Sequence, residues 1–483
     1  MISDFIDKLL RLPLSYFGSK SIGDFTQRIY DHSRIEDFIS NHAFSIFFDA
    51  FSIIVLAAIL AYFDVNIFMV FAIGSLIFIG WSLIFLKRKA FIDHEIFNLN
   101  RLNHSLIIQM ISAVREIKLN GSFLRRKRDW KDVQAQLFNT QTKMLRVDQS
   151  QINGGLFLKE LTGDLIIFIS AKSVVDGNMT LGTMLAIQFI IGSLSIPISN
   201  IVHFVVEFQK ANLSFKRLAE IHTQPIEKMV ERKVYNFENG SIDIENVQFG
   251  YGEKAISPIL QNLSFSIPLK KTTALVGGSG AGKSTLLKLL LKLYEPQKGQ
   301  IKINDENLQN ISTDYWRSLC GVVLQDGILF NDTIERNITE SQSQLPTNYE
   351  SLNQALIISN MLEFVESLPL GIQTVIGENG SFLSGGQKQR LMIARAIYKN
   401  PEFLFFDEAT SSLDAENEKM ITENLISLQK NKTVLVIAHR LSTVKNADQI
   451  LVMENGQIIE SGTHVELLRH RGYYHQLIHN QLN

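Results

Sequence analysis

The sequence predicts two parts of different fold class, an α-helical polytopic membrane domain followed by an α/β domain. Long apolar stretches occur mainly in the first half of the chain, and short β-rich runs alternate with helical runs in the second. A glycine-rich loop joins one of these runs to a helix. The composition agrees, because charged residues make up 20% of the 483 residues, below the ~25% typical of soluble domains.

Four stretches are predicted to span a membrane. A helix needs about 20 mostly apolar residues to cross the ~30 Å hydrocarbon core of a bilayer. The third stretch is the least apolar, but a short turn pairs it with the fourth. An odd number of spans would also place the chain ends on opposite sides of the membrane. The predicted spans are residues 43–63, 65–86, 155–175 and 181–206.

Basic clusters predict the orientation of these spans. Lys and Arg prefer cytoplasmic loops close to span ends. Residues 87–89 and 125–128 are basic and lie between the second and third spans, whereas the two short turns contain no Lys or Arg. We therefore expect both termini on the cytoplasmic side of the cytoplasmic (inner) membrane. Residues 87–146 predict long cytoplasmic helices with a break near Asn120 and Gly121.

Three ionisable residues lie in or beside the predicted spans: Asp49, Asp164 and His203. An ionisable side chain inside a membrane is a candidate functional residue. The alternative, which the sequence leaves open, is that these residues lie where long helices leave the bilayer.

Composition divides the chain near residue 223. We predict a membrane domain of residues 1–222, a linker of 223–240 and an α/β domain of 241–483 with a largely parallel sheet. The 47 basic and 48 acidic residues leave no basic excess, so no nucleic-acid partner is expected. The single cysteine, Cys320, excludes a disulfide framework and precedes an apolar run, which predicts a buried thiol.

A phosphate-binding loop is predicted between a strand at 272–276 and a helix at 285–293. Its residues match the pattern G-x-x-x-x-G-K-[ST]. The glycines let backbone N–H groups surround phosphate oxygens, and the helix N-terminus adds its positive end. Lys283 is predicted to reach the β- and γ-phosphates and Ser284 to hold Mg²⁺. The predicted phosphate-binding residues are Gly277, Gly278, Ser279, Gly280, Ala281, Gly282, Lys283, Ser284 and Thr285.

An apolar strand at 403–406 is predicted to end in two carboxylates, Asp407 and Glu408. Ligands bind at the carboxyl edge of sheets of this kind. Asp407 is predicted to complete the Mg²⁺ shell, and Glu408 is placed to polarise an attacking water. An acidic pair after an apolar run is common by chance. This pair indicates a nucleotide site only because it follows a phosphate-binding loop in the chain. ATP and Mg²⁺ are the predicted ligands, and the second part is predicted to be a P-loop nucleotide-binding domain.

Residues 383–387, Leu-Ser-Gly-Gly-Gln, stand just before this acidic strand, and here the sequence resembles the ATP-binding-cassette family. The resemblance implies that Tyr251 stacks on adenine. It implies that Gln325 lies in the loop linking the nucleotide and membrane domains and contributes to the Mg²⁺ site and to catalysis. It also implies that His439 is the switch histidine near the γ-phosphate.

The resemblance further implies that two cassettes close head to tail. The signature of one chain, with Ser384, Gly385, Gly386 and Gln387, would then face the phosphate loop of the other. Residues 412–414 fit the dimer-contact loop, which makes Asp414 a further candidate. Glu378 would lie in the segment that touches the partner's membrane helices. A homodimer is the simplest assembly, and a related half-transporter is the alternative partner.

The membrane part also resembles this family, most closely the exporters of peptides and bacteriocins that carry an N-terminal cysteine peptidase. Residues 12–17 and 22–24 resemble the first cytoplasmic loop, and 117–121 resemble the approach to the second. Such exporters have six membrane helices per half. We therefore expect a truncated exporter-type domain that lacks the first two helices and the peptidase, with an upstream fragment as a candidate partner.

The function implied by the resemblance is ATP-driven export of a substrate, a peptide in our interpretation, across the cytoplasmic membrane. Lipid or drug export is the first alternative. The second is a membrane-anchored ATPase that transports nothing.

Overall fold

The computed structural model describes residues 2–18, 20, 22–227, 235, 237, 240–252, 258–342, 345–409, 414–429, 432–438 and 444–482. Contacts between Cα atoms divide the chain into two compact units. One contains residues 1–12 and 16–226, and the other contains 13–15 and 227–483.

The described residues before 223 are mainly helical. The predicted break near Asn120 and Gly121 is confirmed, and a further break at Ala113 was not predicted. A π-helical segment, Phe38–Ala43, precedes the first predicted span. The helices are α1 (Ile2–Leu10), α2 (Leu14–Gly18), α3 (Ile22–Asp37), α4 (Ser45–Phe63), α5 (Val65–Ile84), α6 (Leu86–Ser112), α7 (Val114–Leu119), α8 (Phe123–Val175) and α9 (Leu181–His222).

Among the described residues, three helical stretches are long and apolar enough to cross a membrane: Gly23–Phe63, Val65–Ser112 and Leu181–His222. They contain three of the four predicted spans. The fourth predicted span, residues 155–175, is the end of α8. Its charged residues make it less apolar than these three stretches.

The end of α8 nevertheless packs with the apolar helices. Ile166 is fully buried in one hydrophobic cluster with Leu60 of α4, Ile67 of α5 and Ile187 of α9. This packing places residues 155–175 beside the three apolar stretches and supports the prediction of four spans.

A lysine of α8 packs beside the proline of α9. Pro197 has no N–H to donate, yet α9 continues through it. Lys159 Nζ donates to the carbonyl of Ser195 at 3.2 Å and to Ser199 Oγ at 3.0 Å. These bonds give the ammonium group partners within the helix bundle, as a charge in this environment requires.

The three ionisable candidates of the membrane part differ in their surroundings. Asn200 Nδ2 donates to both carboxylate oxygens of Asp49, at 3.2 and 3.0 Å, and so joins α9 to α4. Asp164 and His203 are exposed on their helices. Asp49 therefore has a defined role in helix packing.

A buried ionic cluster joins α3, α6 and α9. Asp31 is fully buried and accepts bonds from Ser214 Oγ at 2.7 Å and Arg217 Nη1 at 3.2 Å. Arg217 Nη2 also donates to Asp93 at 3.2 Å, and Arg34 Nη1 donates to Asp93 at 3.1 Å. Since α9 has 42 residues, about twice the length a bilayer needs, we expect its last turns to lie outside the membrane.

Replacing Arg217 by Met should destabilise this unit, because Asp31 and Asp93 would lose their shared cation. Breaking a buried ion pair costs about 3–5 kcal/mol. We expect Arg217→Met to lower the melting temperature of the detergent-purified chain, measured by the intrinsic fluorescence of its tryptophans. Lys216→Met, at an exposed position on the same helix, is the matched control. Equal melting temperatures for the two variants would contradict the stabilising role of the cluster.

The second unit contains two sheets in its described residues. Strands of the larger sheet run in the order β10-β9-β3-β8-β7-β6, and those of the smaller in the order β2-β1-β4-β5. The strands are β1 (Ser241–Phe249), β2 (Leu260–Pro268), β3 (Thr272–Gly277), β4 (Lys298–Ile303), β5 (Glu306–Asn307), β6 (Cys320–Val323), β7 (Phe403–Asp407), β8 (Thr433–Ile437), β9 (Gln449–Glu454) and β10 (Gln457–Gly462).

The predicted parallel core is confirmed in the larger sheet. Pairing is parallel from β9 through β3, β8 and β7 to β6, and only β10 joins antiparallel. The smaller sheet is antiparallel and was not predicted.

Helices cover the larger sheet. The helix after the phosphate loop was predicted at 285–293 but begins at Lys283 and ends at Leu290, and Lys292 adopts the left-handed conformation just beyond it (φ 53°). The helices are α10 (Lys283–Leu290), α11 (Thr313–Leu319), α12 (Ile334–Thr339), α13 (Tyr349–Ile358), α14 (Leu362–Glu366), α15 (Gly385–Tyr398), α16 (Ala415–Gln429), α17 (His464–His470) and α18 (Tyr473–Leu482).

The central strands are buried on both faces, which explains their continuous apolar runs. In β7, Phe403 and Phe405 enter one hydrophobic cluster, and Leu404 and Phe406 enter a cluster on the other face. Cys320 lies in the first cluster, 1% exposed, and its Sγ donates to the carbonyl of Trp316 at 3.1 Å. Burial raises the pKa of the Cys320 thiol, so the predicted buried thiol is confirmed.

Candidate nucleotide-binding site

The loop after β3 has a backbone that requires glycine. Gly277, Gly280 and Gly282 have φ angles of 154°, 79° and 105°, which L side chains rarely adopt. A Cβ on Gly277 would lie 2.0 Å from the carbonyl oxygen of Met453, and one on Gly282 would lie 2.8 Å from Leu260. Strand β9 therefore packs directly against this loop, and the close packing holds it in shape.

Lys283 is the first residue of α10 and is 6% exposed. Its Nζ donates to the carbonyls of Gly277 and Gly278, both at 2.8 Å. Burial lowers the pKa of Lys283, and the charges of Glu408 and Asp407 act in the opposite direction. The ammonium group therefore lies over the loop with carboxylates near it, where it can exchange these carbonyls for phosphate oxygens.

Two carboxylates follow at the end of β7. Asp407 is the last residue of the strand, is 5% exposed and pairs in register with Ile437 of β8. Glu408 comes directly after it in the left-handed conformation, with φ 53°. Its N–H donates to the carbonyl of Ile437 at 3.3 Å. A non-glycine residue in this conformation persists only where its surroundings hold it, and such residues cluster at functional sites.

The structure brings Gln325 and Glu408 into contact. Gln325 follows the end of β6, and its Nε2 donates to Glu408 Oε2 at 3.1 Å. The contact arises because β6 and β7 are parallel neighbours whose carboxyl ends lie at the same edge of the sheet. An amide donor thus orients the carboxylate that the sequence assigned to water activation.

Tyr251 lies against α10. Its hydroxyl is 3.4 Å from Thr285 Oγ1, and the ammonium of Lys288 is 5.6 Å from the centre of its ring. Phe249 and Tyr294 support the ring by edge contacts with centroids 5.2 Å away. The side chain is 41% exposed, which leaves ring surface for a planar ligand.

The signature residues begin α15. Ser384 Oγ accepts from the N–H of Gln387 at 3.2 Å, and Gln387 Oε1 accepts from the N–H of Ser384 at 2.9 Å, which forms a capping box. The side chain of Gln387 is therefore engaged in the cap. Gly385 and Gly386 stand in the first turn of the helix, where backbone N–H groups have no intrahelical acceptor and suit an anion.

Asp414 is an exposed residue just before α16. Asn417 donates to its carboxylate from the backbone N–H at 2.9 Å and from Nδ2 at 2.7 Å. These bonds hold the pKa of Asp414 below its ordinary value. Glu378 is exposed in the short helical turn Glu378–Gly380. His439 and residues 412–413 lie outside the described residues.

The donor set suits Mg²⁺ bound together with phosphates. Within the part of the chain that the structure describes, no group of three or more His, Cys, Asp or Glu side chains could hold a metal ion by itself. Mg²⁺ usually takes one or two carboxylates and completes its shell with phosphate oxygens and water. Ser284 in the first turn of α10, Gln325 after β6 and Asp407 at the end of β7 fit that pattern.

Two residues near the site were not predicted. Gln389 of α15 donates from Nε2 to the carbonyl of Glu408 at 2.7 Å. The hydroxyl of Tyr473, in α18, is 3.6 Å from where a Cβ on Gly278 would stand. One sequence signal could have revealed Gln389: it is a polar residue in line with Ile393 and Ala396 on the apolar face of α15.

This architecture is that of the ATP-binding-cassette class, a helical membrane unit with a phosphate-loop unit that carries the signature helix. Residues 260–411 match the family model for the ABC transporter, and residues 1–198 match that for the ABC transporter transmembrane region. The chain belongs to the ABC transporter family.

Curated relatives align with nearly the whole chain. It is 34% identical to the toxin RTX-I translocation ATP-binding protein of Actinobacillus pleuropneumoniae, over 97% of this chain and 66% of that protein. It is 33% identical to the alpha-hemolysin translocation ATP-binding protein HlyB of Escherichia coli O157:H7, over 95% of this chain and 65% of that protein. The chain thus spans just under two thirds of the length of these two relatives.

A solved structure agrees in fold. A bacterial Atm1-family ABC exporter with ATP bound superposes with a TM-score of 0.93 and 25% identity. The match covers 100% of this chain and 84% of that one.

Replacing Lys283 by Met should weaken ATP binding, because the cation over the phosphate loop is lost. A hydrogen bond to a charged group contributes about 1.5–3 kcal/mol, so we expect the Kd for ATP to rise at least about 10-fold. Equilibrium binding of a fluorescent ATP analogue measures this. Lys298→Met, at an exposed position on β4, should bind like the parent. Equal affinity of both variants would contradict the role of Lys283.

Proposed function

We propose that the chain hydrolyses ATP and uses the energy to export a polypeptide across the cytoplasmic membrane. The observation that carries the hydrolytic part is the bond from Gln325 Nε2 to Glu408 Oε2, 3.1 Å long. It orients the carboxylate of Glu408. The negative charge of this group acts on the phosphate-loop lysine, Lys283, and opposes the lowering of its pKa by burial.

The proposed roles follow from these positions. Lys283 binds the β- and γ-phosphates, and the N–H groups of the phosphate loop surround their oxygens. Ser284, Gln325 and Asp407 would hold Mg²⁺, which neutralises charge that develops on the phosphates. Glu408 accepts a hydrogen bond from the attacking water and takes its proton. His439 is proposed to lie beside the γ-phosphate, as the family resemblance implies.

We further propose that two copies of the chain, or one copy and a related half-transporter, close head to tail. Ser384, Gly385 and Gly386 of one chain would then complete the phosphate site of the other. The N-terminus of α15, which begins at the signature residues, supports this assignment, since a helix N-terminus suits an anion. Asp414, held by Asn417, would lie at the same interface.

A polypeptide is the proposed substrate because the relatives that align with most of the chain are named for the translocation or export of protein toxins. We propose that the chain crosses the membrane several times with both termini cytoplasmic. Lipid or drug export, and ATP hydrolysis without transport, are the alternatives that the experiments below distinguish.

Replacing Glu408 by Gln keeps the shape of the side chain and removes the base. General base catalysis contributes about 10²–10⁴-fold to a rate, so we expect kcat for ATP to fall at least about 100-fold while ATP still binds. Phosphate release and equilibrium binding by the full chain in lipid nanodiscs measure the two quantities. Glu366→Gln, at an exposed position, should leave kcat unchanged. Full turnover in the Glu408 variant would remove the proposed role.

Transport is tested in vesicles that contain this chain alone. We expect ATP-dependent uptake of labelled polypeptide cargo into inside-out vesicles, and no uptake with Glu408→Gln. A labelled RTX-type toxin polypeptide, a fluorescent phospholipid and a fluorescent drug are compared. Movement of the lipid or drug alone would favour the first alternative. Hydrolysis without movement of any probe would favour the second.

A further inference from the structure

We propose that Gln389 is a positioning residue for hydrolysis, which holds the backbone of Glu408 and couples it to the signature helix α15. This inference rests on the proposed role of Glu408. It adds a residue outside the phosphate loop, the acidic strand end and the signature string. Gln389 also connects the signature helix to the residue that carries the hydrolytic carboxylate, through one hydrogen bond.

The contact is short and buried. Gln389 is 7% exposed, and its Nε2 donates to the carbonyl of Glu408 at 2.7 Å. Gln389 stands two residues after the end of the signature and about one helical turn from Gly385, the first residue of α15. Burial favours the bond, because a polar side chain without a partner in this position is costly.

The bond acts on a residue whose conformation must be held. Glu408 has φ 53°, and a non-glycine residue keeps such a conformation only when its neighbours impose it. Its N–H bond to Ile437 is long, at 3.3 Å, so the Gln389 bond is the shorter of the two. Relaxation of this backbone would turn the Cα–Cβ bond of Glu408 and carry its carboxylate away from Gln325.

The same helix also holds the segment after Gln325. Arg395 of α15 donates from Nη1 to the carbonyl of Ile328 at 2.8 Å and from Nε to the carbonyl of Asn337 at 2.8 Å. Its guanidinium also lies 5.7 Å from the ring centre of Phe330. Helix α15 is therefore bonded to Glu408 itself and to the segment that begins three residues after Gln325. A ligand that engages the first turn of α15 would shift Gln389 and Arg395 together and change the geometry of that contact.

The test uses two variants of Gln389 in the full chain in lipid nanodiscs. Gln389→Leu removes the donor. Gln389→Glu keeps the size, but its ionised carboxylate places an acceptor against the carbonyl of Glu408. Asn424→Leu is the matched control, because Asn424 also donates an amide N–H to a backbone carbonyl between helices, that of Ile358 at 3.2 Å. For each variant kcat, the Kd for ATP, the melting temperature and the pH profile are measured.

We expect kcat of both Gln389 variants to fall about 10- to 100-fold, because a displacement of about 1 Å in a reacting group can reduce a rate by ~10²-fold. The Kd for ATP should stay within about 2-fold of the parent. The activity of Gln389→Glu relative to the parent should rise as pH falls from 8 to 5.5, because the protonated carboxyl can donate again. Asn424→Leu should keep its kcat.

The outcomes separate this proposal from the proposed function. If Glu408→Gln is inactive while Gln389→Leu and Gln389→Glu turn over within 2-fold of the parent, Gln389 has no positioning role. A loss of ATP affinity equal to the loss of kcat, or a loss in Gln389→Glu that does not depend on pH, would also overturn it, because a purely structural role predicts that pattern. Turnover by Glu408→Gln would instead remove the premise. If Gln389→Leu does not fold, the size-matched Gln389→Glu decides.

Discussion

The parallel pairing of the larger sheet is the constraint on which the site depends. Strands β3, β8, β7 and β6 run in the same direction, so the segments after them emerge at one edge. That edge gathers the phosphate loop, the pair Asp407 and Glu408, and Gln325, which are far apart in the chain. Because the central strands are buried on both faces, a change of register would disrupt the close packing of their side chains on each face. The core therefore fixes the spacing of the polar groups.

A second constraint acts at the level of single residues. Close packing against Met453 and Leu260 requires glycine in the phosphate loop, and hydrogen bonds from Gln389 and to Ile437 hold Glu408 in a left-handed conformation. In the membrane unit, charged side chains need hydrogen-bond or ion-pair partners within the helix bundle. Lys159 bonds beside Pro197, Asp49 bonds to Asn200, and Asp31 is buried with Arg217. In both units, hydrogen bonds and ion pairs thus fix the positions of side chains and backbone segments that apolar packing alone would not fix.

Much of this arrangement could be predicted from the sequence, and the limits have physical causes. The length of the apolar stretches predicted the spans, the alternation of β-rich and helical runs predicted the parallel core, and the glycine pattern predicted the phosphate loop. These features can be read from the order of residues along the chain. The contact of Gln325 with Glu408 and the contact of Gln389 with the same residue depend on tertiary packing, which no local pattern encodes. The resemblance placed Gln387 opposite the phosphate loop of a second chain, and it did not predict that the side chain of Gln387 caps its own helix. The end of α10 and the break at Ala113 were also missed, since helix ends depend on single residues.

ATP hydrolysis at a shared site can be tested by measuring phosphate release from the purified full chain in lipid nanodiscs, across a range of ATP concentrations and with or without Mg²⁺. We expect turnover that requires Mg²⁺ and that rises more steeply with ATP concentration than a single independent site allows, because two chains would share each site. Binding of ATP without any release of phosphate, under conditions where the chain is folded, would contradict it.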